Sequence, residues 1–228
     1  MNSTKIVSLQ DKMQKQKTHH AYKKRIKNID GIKYFNKSQI RLIRRTVRDK
    51  AEHDLTKKKV TAVREWLVID ILTSTGVRVS EAANLRCGDL KVGYAQSEIF
   101  IRNGKGARSR TIQIPESLKK HINRFLKWKS AQSESVKSDA YLFVGQRGHW
   151  TSQAIQQIVK KYLKLLDLYE SGKSVHALRH SYAVELYRRE KDLRAVQKQL
   201  GHSSIQTTQI YADVTKEDIQ GQIKNFWN

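Results

Sequence analysis

The stretch His-Ala-Leu-Arg-His at residues 176–180 packs three proton-handling or cationic side chains into five positions, with only Ala177 and Leu178 between them. On a helix of 3.6 residues per turn, His176, Arg179 and His180 share one face, because they lie three and four apart. Twenty-two residues after His180 comes His202, within Leu-Gly-His-Ser-Ser (200–204), and nine further on comes Tyr211. Three chemistries suit the first cluster. His-x-x-x-His is a zinc spacing, but no glutamate stands between the two and no cysteine pair accompanies them. Capping and core packing by histidine is the plainest reading. The third is an anion-binding face, with the fork of Arg179 on a phosphate and His176 adding a donor. In that case His180 is the member expected to be structural.

Composition bears on the choice. Lysine and arginine total 45 of 228 residues against 21 acidic ones, a net charge of +24. A field of that sign points to a polyanion, nucleic acid before membrane. No apolar run is long enough to span a bilayer, and Met1–Gln14 lacks the apolar centre of a signal peptide, so a cytoplasmic protein is expected. One cysteine, Cys87, excludes an internal disulfide framework.

A single proline in a chain rich in helix formers predicts a mostly helical body. Residues 1–33 are polar and basic, with Lys23, Lys24, Arg25 and Lys27 clustered, and are expected to form a basic arm. From residue 34 the texture becomes helical. NKSQIRLIRRTVRDKA (36–51) and VREWLVIDILTST (63–75) both read as amphipathic helices, Gly76 ends the second, and Ser80 is placed to cap a third. Then the period changes to two. Ile99 and Ile101, and Ile112 and Ile114, flank Asn-Gly-Lys-Gly-Ala, a hairpin signal with Lys105 at the bend. Pro115 opens a helix, YLFV (141–144) reads as a short extended piece, and three further helical segments follow over 152–169, 174–189 and 192–200. Gly201 closes the last of them, and Ser204 can cap a helix carrying Tyr211. The fold class is mostly α with a small antiparallel β-sheet.

Together TGVRVSEAANL (75–85), NGKGARSRTIQIP (103–115), HALRHSYA (176–183) and LGHSSIQTTQIYADV (200–214) resemble the tyrosine recombinases, the phage integrases and Xer-like enzymes. Order and spacing match from residue 34 to the end, so 34–228 is expected to be the catalytic domain. The separate N-terminal helical domain of typical members is expected to be missing. The resemblance implies Arg78 and Arg179 as paired arginines, Lys105 as the hairpin lysine, His176 and His202 as phosphate contacts, and Tyr211 as nucleophile. Glu81 would orient Arg78, with His180 behind. It also implies attack of the phenol on a DNA phosphodiester, leaving a 3′-phosphotyrosyl bond and a 5′-hydroxyl. His176 would accept the phenolic proton and Lys105 would protonate the departing oxygen, with no metal, cofactor or ATP.

Double-stranded DNA is the expected partner, met by the arm, by Arg44 and Arg45, and by Arg108 and Arg110. A homotetramer on DNA joined by the C-terminal helix 216–228, and accessory DNA-binding proteins, are expected from the same resemblance. The rivals are a type IB topoisomerase and a DNA-binding recombination regulator that does not cleave.

Overall fold

The computed structural model describes residues 32–102, 109–202 and 204–213. The arm with Lys23, Lys24, Arg25 and Lys27, the bend with Lys105 and Arg108, and the tail 216–228 lie outside the described residues. Contacts divide the chain at Ile32 and Lys33, and the described helices and strands all lie in the unit that starts at Lys33.

Helix α1 (Lys37–Thr56) starts at Asn36, whose side chain accepts the Gln39 amide while the Gln39 side chain accepts the Asn36 amide. This reciprocal cap satisfies two amides that the first turn leaves without partners. Gln39, Ile43, Val47 and Ala51, each four apart, form its buried face.

Helix α2 (Thr61–Thr75) departs from the amphipathic expectation: nearly every residue from Ala62 to Thr75 is buried. It is the central helix, packed between α1, α4 (Glu116–Ala131) and α6 (Val175–Glu190). Its buried carboxylates are therefore paired. Glu65 accepts from the Tyr162 hydroxyl at 2.6 Å and from Lys161, and Asp70 meets Arg44 and His121 at 2.8 and 2.7 Å. An unpaired charge at such a depth would cost several kcal/mol.

After α2, Gly76 turns the chain in the left-handed region, at φ +62. A Cβ there would stand 2.6 Å from the Tyr182 ring. Short helix α3 (Val79–Ala83) follows, and then an antiparallel sheet, β1 (Leu90–Lys91), β2 (Glu98–Ile101) and β3 (Arg110–Gln113), in that order. Strands β2 and β3 form the expected hairpin, with Ile99 opposite Ile112 and Ile101 opposite Arg110. Strand β1 is an addition: two residues are too few to show a period. Pro115 precedes α4 as its cap rather than its first residue.

A two-stranded ribbon of β4 (Val144–Gly145) and β5 (Gly148–His149) leads to α5 (Ser152–Leu165). Helices α6, α7 (Leu193–Leu200) and α8 (Gln206–Asp213) complete the described chain, with the Ser204 hydroxyl accepting the Gln206 amide. Among the described residues, no helix is long and apolar enough to cross a membrane.

Candidate active site

Two helix ends meet at Arg179. The side chain is 7% exposed, and its two terminal nitrogens donate to the Gly76 carbonyl at 2.6 Å and the Leu200 carbonyl at 2.9 Å. Those carbonyls close α2 and α7, where the backbone dipoles favour a cation. Burial, then the neighbouring Arg78, push the guanidinium down to about 10, still charged at neutral pH. Two of its five N–H donors are spent on the carbonyls.

Arg78 enters from the turn after Gly76. It is the residue capping α3, in place of the expected Ser80, because the Glu81 carboxylate reaches back to accept the Arg78 amide at 2.8 Å. Glu81 also accepts from Arg78 Nη1 at 2.9 Å, the contact expected of it, and Arg78 Nη2 points to the Gly201 carbonyl at 3.4 Å.

Arg110, expected to face DNA, lies in this cluster: Nη1 and Nη2 donate to the two Glu81 oxygens at 2.8 and 2.9 Å. Burial raises the Glu81 carboxyl, but the bonds and charges of Arg110 and Arg78 outweigh it and hold the group below its ordinary value. The signal for Arg110 was in the strand. It shares a face with buried Ile112, two residues on, and an arginine on an inward face needs a carboxylate.

Gly201, at φ +67, turns the chain out of α7 and delivers His202. The imidazole meets the Thr208 hydroxyl at 3.0 Å, and burial, then Arg179 and Arg78, push it down to about 4. Tyr211, on α8, is 1% exposed and sits between two imidazoles, its ring centroid 5.9 Å from that of His180 and 6.2 Å from that of His202. Its hydroxyl is hydrogen-bonded to His180 Nδ1 at 3.0 Å. Burial raises the phenol, partly offset by Arg179, while burial, then His176 and Arg179, push His180 down to about 4. Both imidazoles are thus neutral at pH 7.

Arg78, Arg179, His202 and Tyr211 therefore come together, with Glu81, Arg110 and His180 as their partners. His176 stands exposed in the first turn of α6, and the phenol meets His180 instead. Arg44 is turned onto Asp70 and remains 36% exposed, and Arg45 is exposed beside Asp49.

Fold and site define a mostly helical domain that gathers paired arginines, histidines and one buried tyrosine at the ends of α2, α7 and α8. The chain belongs to the phage integrase family, whose model matches residues 33–218. It is 35% identical over 175 residues to tyrosine recombinase XerA of Pyrococcus horikoshii, covering 73% of this chain and 58% of the relative. It is also 35% identical over 167 residues to tyrosine recombinase XerC of Herpetosiphon aurantiacus, covering 73% and 53%. The chain thus spans little more than half the length of these curated relatives. The crystal structure of XerA recombinase matches with a TM-score of 0.67 at 26% identity, over 86% of this chain and 65% of that one. XerH site-specific recombinase bound to difH substrate, in its pre-cleavage complex, matches with a TM-score of 0.66 at 26% identity, over 89% and 55%.

Proposed function

We propose that this chain is a site-specific DNA recombinase that cuts and rejoins double-stranded DNA through a covalent phosphotyrosyl intermediate. The observation that carries the reading is the convergence of Arg78, Arg179, His202 and Tyr211, from four separate elements, at the ends of α2 and α7. In the reaction the Tyr211 oxygen attacks the phosphorus and its proton leaves for a base. The 5′-oxygen departs with a proton supplied by Lys105, and a second strand's 5′-hydroxyl later reverses the step. Energy stored in the phosphotyrosyl bond makes ATP unnecessary.

The unspent donors of Arg78 and Arg179, with His202 and the exposed His176, would stabilise charge on the non-bridging oxygens; fixed donors of this kind contribute several kcal/mol. For the phenolic proton the geometry favours His180 over His176, since a neutral imidazole already lies 3.0 Å from the hydroxyl. The role of Lys105 is supported by its place between β2 and β3 and by the family pattern.

The relatives' recombinase names favour strand exchange over relaxation by a topoisomerase or regulation without cleavage. The duplex would be held by the residue 1–33 arm and by Arg45 and Arg108, with Arg44 adding its exposed part. A tetramer joined through 216–228, with accessory proteins, is the assembly this reading expects.

The test uses nicked suicide duplexes drawn from DNA flanking the gene, incubated in EDTA. A covalent adduct that disappears in Tyr211→Phe, with duplex affinity kept, is the expected result. A wild-type protein that binds but forms no adduct is a regulator, and one that relaxes supercoils without joining two duplexes is a topoisomerase.

A further inference from the structure

The Glu81 carboxylate has no accepting capacity to spare. One oxygen takes Arg78 Nη1 and Arg110 Nη1, and the other takes the Arg78 amide and Arg110 Nη2. Four donors fill the four lone-pair positions of a carboxylate. Arg110 makes the bidentate pair, so Arg78 is limited to one side-chain bond and its Nη2 stays turned toward Gly201. Without Arg110, the fork of Arg78 would close on both oxygens, as isolated arginine–carboxylate pairs do, and withdraw from the site.

The Arg110 side chain also supports the next turn. A Cβ at Gly201 would stand 2.7 Å from its Cδ and Nε, so the glycine lies directly against the guanidinium. The other end of β3 is tied to α7, because Gln199 donates to the Gln113 carbonyl at 2.7 Å and accepts the Gln113 amide at 3.2 Å. Arg110 is 13% exposed and its Nε is buried without a partner. Such a group is poorly placed to meet a phosphate.

We propose that Arg110 is a positioning residue: by claiming both oxygens of Glu81 and bracing Gly201, it sets where Arg78 and His202 stand. It rests on the reading of this cluster as a phosphoryl-transfer site. A misplacement of order 1 Å can slow such chemistry about 100-fold. Arg110→Ala should therefore bind duplex within about twofold of wild type and form adduct about 100-fold more slowly. Arg110→Lys, which keeps the charge but cannot span two oxygens, should recover little of that loss. Added guanidinium ion should restore part of the rate of Arg110→Ala and none of that of Arg110→Lys.

Affinity and rate falling together would make Arg110 a DNA contact, and a wild-type rate in Arg110→Ala would remove it from the site; either overturns the proposal. A second readout needs no DNA: the Gly201 and His202 amide resonances should move in both variants and stay in place in Arg45→Ala. Unmoved resonances overturn the proposal whether or not the protein cleaves. Absence of adduct from wild type counts against the recombinase reading instead.

Discussion

Two buried carboxylates, Asp70 and Glu81, stand eleven residues apart, and each is held by an arginine and a second nitrogen base. At Asp70 the partners are Arg44 on α1 and His121 on α4, and the contact ends there, closing the junction of three helices. At Glu81 the partners are Arg78 and Arg110, and Arg78 continues to Gly201, one residue from His202. The same elementary pairing therefore does two jobs. Where the acid's partners reach no further into the site, the pair is packing. Where one partner continues to the turn that carries His202, the pair aims a functional group.

The variants that separate the two run from severe to slight. Glu81→Ala leaves Arg78 and Arg110 facing each other without a counter-charge. A loss of about 3–5 kcal/mol in urea unfolding is expected, because a buried charge is left unpaired. Adduct formation by the protein that remains folded should fall by about 100-fold. Asp70→Asn should lower stability by about 1–3 kcal/mol, for a buried bond weakened on one side. Its adduct rate, measured well below the unfolding midpoint, should match wild type; a slowed rate there would break the distinction.

Acid separates the groups by pH. Both carboxyls titrate below their ordinary values of 3.8 and 4.5, so the stability they contribute is complete above those ordinary values and is lost as pH falls through the lowered ones. His180 and His202 act earlier. Their folded values of about 4 lie below the ordinary 6.5, so the unfolded chain takes up protons first and stability declines as pH falls from 6.5 toward 4. The charged and titratable groups facing His202 are Arg179, Arg78, His180, Arg110 and Tyr211. Urea midpoints measured from pH 7 to 3 should show His202→Gln flattening the upper part of the curve and Asp70→Asn the lower part. The smallest effect is that of Arg45→Ala, which loses an exposed pair with Asp49. Stability should change by less than about 0.5 kcal/mol, while the salt dependence of duplex binding should drop by about one counterion.

Much of the fold was legible. The residues at Gly76 and Gly201 were read as helix ends, and both adopt the left-handed turn. The hairpin itself followed from alternation, while its register, Ile99 opposite Ile112, came from the structure. What periodicity missed was burial on several sides. Residues 63–75 read as one apolar stripe because Glu65 and Asp70 look like solvent-facing charges until Tyr162 and His121 are brought against them. At the site, the pairing of Arg78 with Glu81 was readable because three residues on a helix turn bring the two together. Local pattern could mark Arg110 as inward-facing but could not pair it with Glu81, 29 residues away, or choose His180 over His176 for a tyrosine 31 residues further on.

The amino-acid order alone determined most of the helices, the turns at Gly76 and Gly201, the hairpin and the set of residue types suited to a phosphate, since all of these depend on neighbours a few positions apart. Which histidine meets the phenol, and which arginine secures Glu81, were decided by the packing of α6 against α8 and of β3 beside α7. Several basic side chains compete for each partner along the chain, and the three-dimensional arrangement decides which of them come within hydrogen-bonding distance.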